Sequence, residues 1–194
     1  MAKGQSSEEL IIDTAKRIFL KEGRLHATTA DIGKAAGLPR TSVHYYFRTR
    51  DLLFKHVFTD ALQNLTEKLN EVVESNIPFR KKIEKYVEVW LENSLEYPYL
   101  DTFVVTEIIA QNYKPVDKLA NVRMNAFAAQ VKAAMGRGEV KGSDPIQFIL
   151  NLFSLLRYPS VTAPLYKELL GLDDKRYTDL LKKRQKEIVR LLLS

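Results

Sequence analysis

Apolar residues recur at helical spacing along nearly the whole chain, and no stretch alternates convincingly between apolar and polar positions. This pattern predicts an all-α fold. A long amphipathic helix is expected to begin at Thr49 or Asp51, with its inner face reaching Val72. The other predicted helices follow Ser6 and end near Gly23, or cover residues 28–36, 39–47, 79–97, 99–112, 115–136, 144–157 and 173–193.

Two capping boxes mark helix starts near the N-terminus. Ser6 is followed three residues later by Glu9. Thr28 and Asp31 repeat this spacing, and such pairs satisfy the free amides of a first helical turn. Gly37 then supplies a tight turn before the next helix. The sequence thus predicts a helix-turn-helix within residues 1–50.

Proline and glycine mark the breaks between the later helices. The glycine-rich stretch 136–144 indicates a connecting loop. Pro159 and Pro164 fall between the last two helical segments, and a proline removes a helical hydrogen bond. We therefore expect the chain to be interrupted or kinked there.

Composition narrows the class of protein. In 194 residues, 45% are hydrophobic, which is ample for a packed core and argues against disorder. Charged residues interrupt every apolar run before it could span a membrane, and the first residues have no apolar signal core. The chain has no cysteine, which excludes disulfides and thiolate metal sites. These features predict a cytoplasmic protein.

The net charge of +6 points to an anionic partner. Residues 25–50 carry four basic residues against one acidic residue, and residues 172–194 carry seven against four. The second group alternates with a leucine stripe, as on a solvated helix face. The first group is the candidate footprint for DNA phosphates.

The helix over residues 39–47 has the chemistry of a DNA reader. Val43 and Phe47 lie four residues apart and predict its buried face. Arg40 can donate two hydrogen bonds to one guanine, and Thr41 can contact a thymine methyl group. The remaining candidates suit phosphate contacts or the exposed arc, although Tyr46 fits burial equally well. Taken by themselves, Arg48 and Arg50 indicate a solvated surface. The predicted DNA contacts are Thr28, Arg40, Thr41, Ser42, His44, Tyr45, Tyr46 and Arg50.

Residues 10–55 resemble the TetR family of bacterial transcriptional regulators. The matching segments read FLKEG, ATTADIGKAAG, LPRTSVHYYF and RTRDLL. Three positions depart from the family's usual residues. Pro39 replaces a small hydroxyl cap, Arg24 an aromatic residue, and Gly33 an alanine.

The resemblance implies a helix-turn-helix domain over residues 1–50 and a helical effector-binding and dimerisation domain over 51–194. A single recognition helix reads too few base pairs, so such proteins usually pair on a palindromic operator. The last two long helices are expected to form the dimer interface, or else to pack within the chain. The candidate interface residues are Ile149, Phe153, Leu156, Leu180, Ile188 and Leu191.

Residues 79–136 combine aromatic and polar side chains that could line a pocket for a small organic effector. The candidates are Trp90, Tyr97, Phe103, Glu107, Arg123 and Phe127. Glu107 lies in an apolar run where an unpaired carboxylate would be costly. It is expected to face the pocket, to pair with Arg123 or a tyrosine, or to face solvent. By resemblance, ligand binding releases the protein from DNA, as expected of a repressor.

Three other classes remain as alternatives. A helical enzyme lacks support, because the three histidines form no metal or catalytic motif and there is no phosphate-binding loop. We expect no catalytic residue, metal or cofactor. A DNA-binding regulator controlled by a protein partner instead of a ligand fits the same motif. A membrane-surface role fits poorly, because the last helix mixes both charge signs on its polar face.

Overall fold

The computed structural model describes residues 6–110, 118–142 and 144–193, and every regular element in these ranges is a helix. The all-α prediction is confirmed. The predicted end of the helix over 99–112 and the predicted start of the helix over 115–136 lie outside the described residues. The helices are α1 (Ser7–Lys16), α2 (Thr29–Ala35), α3 (Arg40–Phe47), α4 (Arg50–Glu74), α5 (Phe79–Glu96), α6 (Leu100–Ile109), α7 (Lys118–Gly136), α8 (Pro145–Val161), α9 (Ala163–Leu169) and α10 (Asp174–Leu192).

The described residues form two compact units. The first contains the chain up to Asn64 together with Glu96–Leu100, and the second contains Leu65–Leu95 and the residues from Asp101 onward. Helix α4 contributes residues to both units. The division between residues 50 and 51 remains a prediction about domains.

The core of the first unit is built by α1, α2, α3 and the start of α4. Phe19, Ile32 and Val43 are completely buried, one from each of the first three helical regions. The Phe19 ring meets that of Phe54 edge to face, with centroids 5.3 Å apart. Burial of each such side chain stabilises the fold by about 1.5–3 kcal/mol. Apolar packing is therefore the main source of stability in the first unit.

A π-helical turn over Arg17–Lys21 continues α1. The amide of Glu22 donates to the carbonyl of Arg17, 2.9 Å away, which closes the wider turn. The carbonyl of Leu20 accepts a hydrogen bond from the Tyr99 amide at 3.1 Å. The wide turn thus provides an acceptor for the segment Glu96–Leu100, which belongs to the same unit.

The core of the second unit lies between α5, α7, α8 and α10. Its most buried side chains include Ile83, Val87, Trp90, Val131, Leu152, Leu156 and Ile188. Lys82 is also buried, and its Nζ donates to the carbonyl of Val73 and to Oε1 of Gln130, each 2.7 Å away. Burial lowers the pKa of this ammonium group. Lys82 satisfies a carbonyl in the last turn of α4, where positive charge is favourable.

An interruption of the helix at Pro159 is wrong, because α8 continues through this residue to Val161, whereas a kink there stays a prediction. A proline cannot donate to the carbonyl four residues earlier, here that of Leu155. Nη2 of Arg184 on α10 donates to this carbonyl instead, at 3.1 Å. Pro164 lies in the first turn of α9, an unpredicted helix where the missing amide has no cost.

Candidate nucleic-acid interface

The N-terminus of α2 carries the predicted capping box. Oγ1 of Thr28 accepts from the Asp31 amide at 3.2 Å, and Oδ2 of Asp31 accepts from the Thr28 amide at 2.8 Å. The backbone hydrogen bond from Thr28 is the main cause that holds the pKa of Asp31 below its ordinary value. The cap leaves the Thr28 side chain exposed at the start of the helix.

Gly33 explains one departure from the usual family pattern. A Cβ at this position would stand 2.9 Å from the carbonyl oxygen of Leu38. The same stretch is closed by a hydrogen bond from the Leu38 amide to the Gly33 carbonyl at 2.8 Å. Glycine therefore allows the turn between α2 and α3 to fold tightly against α2.

Helix α3 separates a buried face from an exposed one. Val43 and Phe47 are buried, as their spacing predicts, whereas Arg40, Thr41 and His44 are exposed. Ser42 is half-buried. Pro39 precedes the helix without a side-chain cap, and its carbonyl accepts from the Ser42 amide at 3.0 Å. The polar side of α3 thus faces away from the core of the first unit.

Two adjacent tyrosines extend this exposed arc. Tyr45 is 76% exposed and Tyr46 is 38% exposed. Their rings meet edge to face with centroids 5.1 Å apart. This contact favours a defined orientation of the more exposed ring.

Arg50 has a structural role that the sequence did not indicate. Its guanidinium lies over the rings of Phe19 and Phe54, at 5.3 Å and 5.1 Å from their centroids. It donates to the carbonyl of Leu25 and, at 2.9 Å, to Oδ1 of Asp51. Arg50 therefore ties α4 to the loop after α1. A phosphate contact from this residue stays a prediction.

Within residues 6–110, 118–142 and 144–193, no three histidine or acidic side chains are placed to share a metal ion. None of the helices described there is both long and apolar enough to cross a membrane.

The sequence model of the bacterial regulatory proteins of the tetR family matches residues 11–57, which run from α1 through the recognition helix into α4. Residues 11–57 thus form a DNA-binding domain of the TetR family. A chain that carries this domain is a DNA-binding transcriptional regulator and not an enzyme.

Two curated relatives extend this similarity beyond the matched residues. The uncharacterized helix-turn-helix-type regulator YhgD of Bacillus subtilis is 24% identical over 149 residues, which cover 71% of this chain and 74% of YhgD. The helix-turn-helix-type regulator QacR of Staphylococcus aureus is 24% identical over 138 residues, covering 68% of this chain and 72% of QacR.

Solved structures extend the likeness of the fold to nearly the whole chain. The TetR-family regulator PfmR of Thermus thermophilus aligns with a TM-score of 0.60 at 15% identity, over 96% of this chain and 97% of PfmR. A TetR-family regulator of Haemophilus influenzae aligns with a TM-score of 0.58 at 15% identity, over 97% of each chain. At this identity the likeness concerns the fold alone.

The structure brings some of the predicted effector residues together. The ring of Tyr86 stacks on Trp90 and on Phe127, with centroid distances of 6.2 Å and 5.8 Å. Phe103 is also buried. Burial raises the pKa of the Tyr86 hydroxyl. Trp90 and Phe127 are thus joined through a tyrosine in one aromatic cluster.

The surroundings of Arg123 and Tyr97 differ from those expected of a shared pocket. Nε of Arg123 pairs with Oε1 of Glu74 at 3.4 Å, which corrects the suggested pairing with Glu107. Glu107 is half-buried. Tyr97 belongs to the first compact unit, where burial is the main cause that raises its pKa to about 12. An effector role for these residues remains a prediction.

An ion pair between the buried Asp101 and the half-buried Arg157, beside the aromatic cluster, was not predicted. Nε of Arg157 lies 3.4 Å from Oδ1 of Asp101, and its guanidinium is 4.9 Å from the Trp90 ring centroid. Burial raises the pKa of Asp101, while Arg157, then Trp90 and Ser94, act against this shift. In the sequence, an aspartate in the first turn of α6 resembles an ordinary residue that stabilises a helix start. The sequence pattern therefore could not predict that Asp101 is buried.

A cavity of about 300 Å³ also lies in the second unit, and none of the six predicted effector residues lines it. Its walls come from the end of α7, the start of α8 and the end of α10. Met135, Phe148 and Leu192 supply apolar lining, and Lys141, Gln147 and Asn151 supply polar groups.

The candidate dimer residues fall into two groups. Ile149, Leu156 and Ile188 are buried within the single chain, and Phe153 is half-buried. Leu180 and Leu191 on α10 are 49% and 58% exposed. Only the second group presents much apolar surface to a partner, and the interface itself remains a prediction.

Proposed function

We propose that this regulator is a cytoplasmic repressor that binds a palindromic operator as a homodimer and leaves it when a small organic ligand binds. The observation that carries the proposal is the exposed polar arc of α3. Arg40 and Thr41 lie at the N-terminal end of that helix, where recognition helices contact base edges. The predicted contacts from Ser42, His44, Tyr45 and Tyr46 belong to the same helix.

Exposed apolar side chains on the last helices support dimerisation. Leu180 and Leu191 on α10 are exposed, and so are Ile146 and Leu150 on α8, at 51% and 52%. Large apolar side chains that stay exposed in one chain can be buried by association. A twofold pair of such chains would present two recognition helices to one palindrome.

The aromatic cluster of Tyr86, Trp90 and Phe127 supports effector binding, because such side chains predominate in pockets for organic ligands. The ion pair of the buried Asp101 with the half-buried Arg157 adds polar groups that could orient a ligand. A ligand releases DNA only if it binds the DNA-free form more tightly than the bound form.

Selection of DNA from a random pool with the purified full-length chain tests the DNA-binding proposal. We expect enrichment of inverted repeats whose half-site centres lie about 34–36 Å apart, or a multiple of that spacing. Enrichment of single half-sites would contradict binding as a dimer, and no enrichment would contradict sequence-specific binding.

A compound screen tests the effector proposal on the same complex. Compounds that raise the melting temperature of the protein should also release it from the selected operator, because both effects follow from preferred binding to the free form. Release by a protein partner, with no compound active in either assay, would favour the partner-controlled alternative.

A further inference from the structure

Arg48 has the only positive φ angle among the non-glycine residues that the structure describes. Its φ and ψ are 58° and −58°. A residue with a side chain adopts such a conformation rarely and under strain, whereas glycine enters the positive-φ region easily. This strained residue directly follows the recognition helix α3.

The strain comes from a classical γ-turn centred on Arg48. The Thr49 amide donates to the carbonyl of Phe47 at 2.5 Å, and this hydrogen bond together with the φ and ψ of Arg48 defines the turn. The Arg48 amide donates to the carbonyl of His44 at 3.0 Å, which ends α3. Oγ1 of Thr49 accepts from the Leu52 amide at 3.2 Å, which starts α4. Arg48 and Thr49 alone thus connect α3 to α4, and a glycine in place of Arg48 would adopt the same turn with less strain.

The Arg48 side chain does not offset this strain inside the chain. It is exposed, and it makes no hydrogen bond, ion pair or ring contact with any residue that the structure describes. Arg50, two residues later, is instead held by Leu25, Asp51 and two phenylalanine rings. Of the two arginines at this junction, Arg48 is the one whose guanidinium is available to a partner.

We propose that Arg48 binds a phosphate of the DNA backbone beside the groove that α3 enters. The eight residues of α3 span about 12 Å, and the major groove is about 12 Å wide. With Arg40 at one end near the base edges, a side chain just beyond the other end reaches the groove's edge, where the phosphates lie. A guanidinium recognises phosphate through two parallel hydrogen bonds. This inference rests on the proposed docking of α3.

The decisive variant is Arg48→Gly in the full-length protein, with Arg137→Gly as control. Arg137 is also an exposed arginine just after a helix, so Arg137→Gly loses the same charge as Arg48→Gly. Because Arg137 lies in the second unit, its replacement leaves the unit with α3 unchanged. Relief of strain should raise the melting temperature of Arg48→Gly by about 2–4 °C. Loss of the phosphate contact should weaken binding to the selected operator about tenfold.

The salt dependence separates a phosphate contact from a change in the shape of the junction. For Arg48→Gly, the plot of log affinity against log salt concentration should become shallower by about 0.9 per contact, or about 1.8 for a dimer. Arg48→Lys should keep the wild-type slope, because it keeps the charge. A weakened Arg48→Gly protein with an unchanged slope would contradict the phosphate contact.

Failure of this inference can be distinguished from failure of the proposed function. If the wild type enriches no DNA sequence, sequence-specific binding itself is wrong. If the wild type binds its operator and Arg48→Gly binds equally well with the same slope, only the role of Arg48 is wrong. A lower melting temperature for Arg48→Gly would contradict the strain at the turn.

Discussion

Tyr99 lies directly against Gly23. A Cβ added to Gly23 would stand 2.6 Å and 2.7 Å from Cε1 and Cε2 of the Tyr99 ring. Gly23 also has a φ of 68°, and the Tyr99 amide donates to the carbonyl of Leu20 nearby in the sequence. The segment Glu96–Leu100 is therefore built into the unit that carries the recognition helix.

Gly23→Ala is expected to destabilise the protein, because the new methyl group meets the Tyr99 ring and the backbone keeps a positive φ. We expect the free energy of unfolding to fall by more than about 2 kcal/mol in urea denaturation. Gly37→Ala is the matched control, since Gly37 has the same φ of 68° but no atom within 4 Å of the added Cβ. Equal losses for the two variants would contradict the clash.

The clash itself can be isolated by a double-mutant cycle. In a Tyr99→Ala background the ring is absent, so Gly23→Ala should cost only what Gly37→Ala costs, about 1–2 kcal/mol for the left-handed backbone. An unchanged cost of Gly23→Ala in this background would show that the ring of Tyr99 is not the obstacle.

Much of the fold could be predicted because its signals are local. The capping box of Thr28 and Asp31 and the spacing of Val43 and Phe47 are properties of single helices. The path of α8 through Pro159 could not be predicted in this way. It depends on Arg184, far along the chain, which supplies a donor for the carbonyl that the proline leaves free.

The candidate site shows the same limit. The exposed arc of Arg40, Thr41, His44 and Tyr45 follows from helical periodicity. The contrast between Arg48 and Arg50 does not, because it depends on the tertiary partners of Arg50 and on the backbone angles of Arg48. The sequence placed both arginines in the basic group of residues 25–50 and named only Arg50 as a specific phosphate contact.

Asp101→Asn should change how stability depends on pH. Burial raises the pKa of Asp101 in the folded protein above its ordinary value of 3.8. Between these two values the folded protein holds a proton that the unfolded chain has lost, so wild-type stability falls as pH rises through this window. Asparagine does not titrate. Urea unfolding from pH 4 upward should therefore show the wild type losing stability relative to the variant.

Asp31→Asn provides a comparison of opposite sign. The hydrogen bonds from Thr28 lower the pKa of Asp31, so its contribution is present above its ordinary value of 3.8 and is lost as pH falls through the folded-state pKa. The wild type should lose stability relative to Asp31→Asn on acidification. Parallel pH curves for the wild type and either variant would contradict the corresponding pKa shift.

Arg40→Ala should reduce the discrimination between operator and altered DNA. If Arg40 binds a guanine in two places, the variant should lose about 1–3 kcal/mol of operator binding. Sites with that guanine replaced should bind wild type and variant alike. Gel-shift titration over single-base variants of the selected operator measures this ratio. A uniform loss on every site would assign Arg40 to the phosphate backbone instead.

The double variant Leu180→Glu with Leu191→Glu should separate the proposed dimer into monomers. Both leucines are about half exposed within one chain, so their replacement should leave the core of the protomer intact, whereas buried carboxylates would be costly in an apolar interface. We expect the dimer dissociation constant to rise about tenfold or more in light scattering. Leu119→Glu on α7, where the leucine is 52% exposed, controls for the added charge. A wild type that is monomeric at micromolar concentration would contradict the dimer. A double variant that remains fully dimeric would exclude this face of α10 as the interface.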